Sequence, residues 1–326
     1  MQFKAFRVEK TDAGFERSIV TRSVDDLPAG ELLVEVKFSS LNFKDGLSAT
    51  GSPGVTRKFP HTPGIDVSGV VLASDHADFA VGDEIIAIGF DLGMATSGGF
   101  AERVRIPASW AVKMPKGLSM HSSMIIGTAG FTAAECVQKL ERSGMTPASG
   151  PVLVTGATGG VGSVAVKLLA QLGYEVAAVT GKEDKHDFLR SLGASEILSR
   201  EEANAGSDKP MLAERWGGVV DTVGGDILFN GVKSLRYGCS LAACGLVAAP
   251  VFSASVLPFI LRHVNLLGID SVQLPIEEKT EIWHRLGDEW LMDLSELEEV
   301  LTLDDVSDAI DRILAGKMVG RGVVHL

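Results

Sequence analysis

The chain has 326 residues, 45% of them hydrophobic and 22% charged, with 37 glycines; this excludes a disordered or fibrous chain and gives room for two globular domains. Lys plus Arg number 30 against 42 for Asp plus Glu, a net charge of -12, and that sign repels phosphate backbones, so nucleic acid is not an expected partner. An anionic cofactor remains admissible, because a helix N-terminus and a few local basic residues decide such a contact. The N-terminus MQFKAFRVEK lacks the apolar stretch and small-residue cleavage site of a signal peptide, and the expected location is cytoplasmic. The three cysteines, Cys136, Cys239 and Cys244, fit reduced thiols, with Cys239 and Cys244 expected as small core hydrophobes.

In chain order, the first third reads as β. Runs at 32–38, 67–72, 84–88 and 101–106 are punctuated by Gly, Pro and Asp turns, as in a compact, partly open barrel. Residues 120–140 have the apolar spacing of a helix that ends at Gly144. Strands and helices then alternate: strand 152–155, helix 160–172, strand 175–179, helix 185–192 and strand 196–198, with further strands at 219–221 and 240–244. Such alternation predicts a parallel sheet with helices on both faces. Residues 237–261 carry no charge and are long enough to span a membrane, but Gly238, Gly245, Pro250 and Pro258 divide them into a buried strand, a loop and a short helix. No membrane association is expected. Residues 321–326 read as a last strand that folds back onto the first domain.

Pro151-Val-Leu-Val-Thr-Gly-Ala-Thr-Gly-Gly-Val-Gly162 is an apolar strand running into a glycine cluster, and an amphipathic helix follows at once. Thr158, Gly159, Gly160, Val161 and Gly162 are the expected phosphate cradle: the glycines admit a pyrophosphate and let the helix pack on the strand, while its N-terminus offers N–H groups. Ala157 occupies the place of the first glycine in the usual G-x-G-x-x-G pattern, which is tolerated where that position needs no positive φ. A second strand ends roughly 20 residues on, as the dinucleotide fingerprint requires. An NAD site normally places an acid there for the ribose 2'-hydroxyl. Thr180, Gly181 and Lys182 stand there instead, with Arg200 after the third strand, and a hydroxyl, a small residue and cations suit a 2'-phosphate. The expected cofactor is NADPH.

Taken together, Ser39-Ser-Leu-Asn-Phe-Lys-Asp45, Pro63-Gly-Ile-Asp-Val-Ser-Gly69, Ile126-Gly-Thr-Ala-Gly-Phe-Thr132, the glycine turn, Asp221-Thr-Val-Gly224, Ala243-Cys-Gly-Leu246 and Gly268-Ile-Asp-Ser271 occur in an order that resembles the medium-chain dehydrogenase/reductase superfamily, in its zinc-independent, quinone-oxidoreductase-like branch. The first, third and last of these segments resemble its NADPH-dependent acryloyl-coenzyme A reductases. The resemblance implies an α/β chain: a Rossmann domain at 123–272, doubly wound about a parallel sheet, inserted into a GroES-like, mostly β catalytic domain at 1–122 and 273–326. It also implies a homodimer, a short acyl-CoA substrate, and a cofactor set that extends to Phe43, Leu246, Ile260, Ser271 and Arg321. Zinc-dependent relatives carry a catalytic cysteine where this chain has residues 39–42, Gly-His-Glu where it has Gly64-Ile65-Asp66, and a four-cysteine lobe near residues 90–110; with none of these present, no metal is expected.

Reducing an α,β-unsaturated thioester needs hydride at the β-carbon, a proton at the α-carbon, and hydrogen-bond donors for the developing enolate. Asn42 and Asp45, in the loop after a strand, are the catalytic candidates, Asn42 as a donor and Asp45 to orient Lys44 or move a proton. Their alternative is a turn held by side-chain hydrogen bonds. Arg57 and Lys58 are the candidate contacts to coenzyme A phosphates, with Arg262, His263 and Arg321 as further ones. A quinone or free enone reductase of the same fold, and a non-catalytic NADPH-binding protein, are the competing readings.

Overall fold

A computed structural model describes residues 1–326, which pack as two units: residues 1–128 with 271–326, and residues 129–270. The expected division fell at 122/123 and 272/273; the structure draws it at 128/129 and 270/271.

In the first unit, β1 (Gln2–Thr11) and β2 (Gly14–Ser23) form an antiparallel hairpin. β3 (Leu32–Leu41) leads through Asn42 into a short helix, α1 (Phe43–Ala49), where the sequence was read as a loop. β4 (Asp66–Ser74), β5 (Glu84–Ile88), β6 (Arg103–Ile106) and β7 (Ala111–Lys113) follow. The hydrophobic side chains of β3 to β6, from Leu32 and Val34 to Val104 and Ile106, are buried together in one cluster, as the alternation of these strands requires. α2 (Met120–Arg142) begins in this unit, continues past residue 128 into the second, and is interrupted at Gly127, whose φ of 49° and ψ of -163° lie outside the helical region.

The second unit is built on β8 (Val152–Val154), α3 (Gly160–Gln171), β9 (Val176–Val179), α4 (His186–Ser191), β10 (Glu196–Leu198), α5 (Arg200–Ala203), β11 (Gly218–Asp221), α6 (Gly225–Lys233), β12 (Ser240–Ala243), α7 (Leu257–Arg262) and β13 (Asn265–Gly268). Its six strands run β10-β9-β8-β11-β12-β13, every pair parallel. Counted within the unit this is the 3-2-1-4-5-6 order of a doubly wound dinucleotide fold, with the switch point between β8 and β11. β8, β9 and β11 are buried along their whole length, which is why they read as continuous apolar runs. The charge-free stretch forms a strand, a loop and a helix, and no helix of the chain is long and apolar enough to cross a membrane.

The chain then returns to the first unit through α8 (Ile276–Leu286), β14 (Glu298–Leu301), α9 (Val306–Leu314) and β15 (Arg321–His325). β15 pairs antiparallel with β3 and parallel with β14, in a seven-stranded sheet whose order is β14-β15-β3-β4-β5-β7 with β6 also paired to β3. The last strand thus lies beside the segment that ends at Asn42.

Candidate active site and cofactor cradle

Two polar constructions stand out, one in each unit. In the first, Asp66 opens β4 with no solvent exposure. Its Oδ2 accepts from Asn42 Nδ2 at 2.8 Å, from the Thr128 backbone N–H at 2.8 Å and from Ser40 Oγ, while its Oδ1 accepts from Thr128 Oγ1. Arg321 at the start of β15 is 2% exposed and brings its Nη2 to 3.9 Å from Asp66. Its other contacts are also internal: Nε donates to Ile125 O at 2.9 Å, Nη2 to Ser40 Oγ at 2.9 Å, and Nη1 to Leu41 O and Asn42 Oδ1 at 3.3 and 3.4 Å. Burial lowers the Arg321 pKa, and Asp66 and Asp45 oppose that shift. A buried carboxylate needs a cation and a full set of donors, and Asp66 has both.

Gly127 makes this arrangement possible. A Cβ there would stand 2.3 Å from Ser40 Oγ and 2.6 Å from both Asp66 Oδ2 and Arg321 Nη2. Its positive φ breaks α2 so that the next N–H, that of Thr128, points at the carboxylate.

Asp45 and Asn42 belong to the same region but are not open to it. Asp45 is fully buried; its Oδ2 accepts from Asn42 N at 2.8 Å, and its Oδ1 from the Gly64 and Ile65 N–H groups at 3.1 and 2.9 Å. Asp45 therefore braces the first turn of α1 against the 64–65 turn. Asn42 spends both amide hydrogens inward, on Asp66 and on Ser40 O at 3.2 Å. Burial, reinforced by the Asp66 charge, pushes Asp45 up to about 7 despite its three backbone donors.

In the second unit, the positive φ of the glycine turn falls at Gly156, at 59°, and Ala157, in the place of the pattern's first glycine, needs none, as expected. A Cβ on Gly162 would meet Gly156 O at 2.3 Å, so that glycine lets α3 pack against the turn. Gly159 caps α3, and Ser163 N–H bonds to Gly159 O at 2.9 Å. The N–H groups of Gly160, Val161 and Gly162, in the first helical turn, precede any helical acceptor and are suited to phosphate oxygens.

Thr180 is buried and takes the Lys182 N–H on its Oγ1 at 3.0 Å. A Cβ on Gly181 would stand 2.7 Å from Arg200 Nε, so the arginine crosses the bare glycine backbone towards Lys182. Burial lowers the Lys182 pKa, Asp184 opposes this, and the Arg200 charge lowers it further. Two cations thus converge where no acid serves a ribose hydroxyl, and the donor set fits the 2'-phosphate of NADPH.

The sequence reading missed Asp66, Ser40 and Thr128. It also missed a lock at the ends of β8 and β11: Thr155 Oγ1 donates to Asp221 Oδ1 at 2.7 Å, and Gly224 N–H to Asp221 Oδ2 at 2.8 Å. Two basic residues change role. Arg321, expected on the cofactor, has its nitrogens turned into the Asp66 cluster, and Arg262, expected on phosphate, donates to Lys233 O at 2.8 Å and Leu212 O at 2.5 Å. Phe43 is half-buried at the start of α1, and Ser271 is buried in the first unit. Leu246 and Ile260 are 58% and 69% exposed on the second unit. Arg57 and Lys58 are exposed, with Arg57 Nε on Pro53 O at 3.1 Å. Cys239 and Cys244 are half-buried, and Cys136 alone is a core thiol.

The chain matches the GroES-like domain of alcohol dehydrogenases over residues 28–116 and the zinc-binding dehydrogenase family over residues 160–287. It is 44% identical to the acrylyl-CoA reductase AcuI of Ruegeria pomeroyi, over 99% of both chains. The chain is a medium-chain dehydrogenase/reductase. It is also 40% identical to the putative quinone oxidoreductase YhfP of Bacillus subtilis, over 99% of each chain. Among solved structures, the YhdH oxidoreductase of Salmonella enterica in complex with NADP superposes with a TM-score of 0.95 at 42% identity, covering 99% of both chains. The B. subtilis YhfP structure with NAD bound gives 0.97 at 40% identity over all of both chains. In this member of the family, the segment that replaces Gly-His-Glu supplies a carboxylate already filled by hydroxyl, amide and backbone donors.

The raised Asp45 pKa sets a pH dependence of stability. Below about pH 4 the group is protonated in folded and unfolded chains alike; as pH rises towards about 7 the unfolded chain releases the proton first, so this group's contribution to stability falls across that window and levels off above it. Asp45→Asn turns an amide towards backbone N–H groups and is expected to cost about 1–3 kcal/mol. Because the variant does not titrate there, its deficit against the parent, measured by urea unfolding, narrows by about 2 kcal/mol between about pH 5 and about pH 7. A deficit that stays constant or widens contradicts the assignment.

Proposed function

We propose that this chain uses NADPH to reduce the carbon–carbon double bond of a short enoyl-CoA, with acryloyl-CoA to propanoyl-CoA as its reaction. The full-length similarity to an acrylyl-CoA reductase carries the substrate, and the Thr180, Lys182 and Arg200 constellation carries the cofactor. When bound, NADPH supplies the hydride for the β-carbon, and charge then develops on the thioester oxygen.

The chain's own residues prepare for that step in three ways. Thr158 and the 159–162 turn hold the pyrophosphate, and Lys182 and Arg200 neutralise the 2'-phosphate. Asn42 and Asp45 act as positioning residues: with Asp66, Ser40, Thr128 and Arg321 they fix the start of α1, which carries Phe43 and Lys44. Phe43 supports the nicotinamide by packing. Arg57 and Lys58, in an exposed loop, meet the phosphates of coenzyme A.

A homodimer completes this reading. β13 is an edge of the six-stranded sheet, and Leu266 on it is 36% exposed, close in sequence to Ile260 at 69% and Leu261 at 60%. A bare apolar edge of this kind is covered by pairing in a stable protein. Sedimentation velocity is expected to give a dimer for the parent and a monomer for Leu266→Glu; a monomeric parent would refute this surface.

Specificity constants test the chemistry. Acryloyl-CoA with NADPH is expected to exceed both crotonyl-CoA and a quinone, and turnover of the quinone alone would transfer the function to a quinone reductase. Arg200→Ala is expected to raise the KM for NADPH by about 10- to 100-fold, with little change for NADH, since it removes one charge-assisted contact. Equal losses with both cofactors would displace Arg200 from the 2'-phosphate.

A further inference from the structure

His121, Glu298 and His325 meet in the first unit, outside the residues assigned above. His121 Nε2 lies 2.7 Å from Glu298 Oε1 and His325 Nε2 lies 3.4 Å from the same oxygen; one atom from each side chain falls within 4.8 Å of the others. The Phe38 ring packs on both imidazoles, with centroids 5.2 Å from His121 and 4.9 Å from His325, and fixes their planes. The glutamate side chain is 12% exposed and the histidines 39% and 38%, so the carboxylate is held in place while the cluster stays open to solvent.

We propose that this cluster is a binding site for a divalent zinc-class ion, with His121, Glu298 and His325 as three ligands and water as the fourth. Zinc takes imidazole nitrogen at about 2.0–2.1 Å and carboxylate oxygen at about 2.0–2.2 Å. Tetrahedral ligands at those lengths stand roughly 3.3 Å apart. The observed 2.7 and 3.4 Å bracket that spacing, and side-chain rotation closes the difference. Two imidazoles and one carboxylate form a donor set that zinc prefers over calcium or magnesium.

The site joins the elements that hold the Asp66 cluster. His121 lies in the first turn of α2, one turn before Ile125, whose carbonyl accepts from Arg321, and two turns before Thr128, which donates to Asp66. Arg321 and His325 share one face of β15, four residues apart, and Glu298 on β14 stands opposite Arg321 in the parallel β14–β15 pairing. An ion here staples α2, β14 and β15 together. It is a structural or regulatory site, separate from the Asp66 network.

The test uses the full chain freed of metal with a chelator and then titrated with zinc or cobalt. One equivalent of cobalt is expected to give the visible absorption of a four- or five-coordinate ion, and zinc at about a hundredfold above its Kd is expected to raise Tm by about 3–5 °C. His121→Asn and His325→Gln should each abolish both responses, while His76→Ala, at an exposed histidine elsewhere, should leave them intact. Far-ultraviolet circular dichroism and NADPH binding verify that the variants are folded. Absence of a one-to-one cobalt spectrum, or an equal zinc response in the parent and the two cluster variants, overturns the proposal.

Discussion

The burial of the Asp66 carboxylate is the constraint on which the first unit depends. An ion of this kind, removed from water, costs several kcal/mol unless its lone pairs are filled and its charge is opposed. The donors come from β3, from the residue that starts α1 and from the break in α2, while the opposing guanidinium comes from the last strand. Segments far apart in the chain must therefore be in register before the charge is paid for. This explains why α2 is broken at Gly127, with helix on both sides of it, and why no side chain fits there: the space is occupied by Ser40, Asp66 and Arg321.

The second unit applies the same device to a different end. Asp221 closes β11 as Asp66 opens β4, each buried, and each takes a threonine hydroxyl and a backbone N–H at or just after a glycine of positive φ. In one unit the result is a rigid start to α1; in the other it is a fixed end to β8 and β11, beside the glycine turn. Rigid strand ends suit a hydride transfer enzyme, in which placing the reacting carbon relative to the cofactor is the main requirement.

Local features were legible in the sequence. β8, the glycine turn and α3 are adjacent in the chain, so period, composition and turn residues specify them together; Ala157 stands in the pattern's first position without a positive φ, as expected, and the positive φ falls on Gly156. β9 and β11 were equally readable, because they too are buried along their whole length, whereas β13, exposed at the edge of the sheet, carries no such run and was not read as a strand. α1 was not, since seven residues give too short a pattern and its cap residues read equally well as a turn. The Asp66 cluster could not be assembled by spacing, with partners 24 residues away at Asn42 and 62 at Thr128, and with Arg321 281 residues beyond Ser40. Arg321 consequently read as a ligand-facing cation when its true neighbours are internal. The histidine and glutamate cluster escaped for the same reason, its members lying 177 and 27 residues apart.

The directions of these hydrogen bonds limit what the polar network can do in the reaction. Ser40, Asn42 and Thr128 direct their hydrogens at Asp66 or at one another's carbonyl groups, Arg321 directs its own at oxygens within the unit, and Asp45, though poised near neutrality, is sealed from solvent. A group that spends its hydrogens inward has none for the α-carbon of a substrate. The network therefore contributes order, by holding a charged core and a helix start in one geometry, and the proposed reaction takes its proton from outside it. An enoyl reduction tolerates that division of labour, because the step that needs placement is the hydride transfer, whereas an enolate, once formed, is basic enough to take a proton from water.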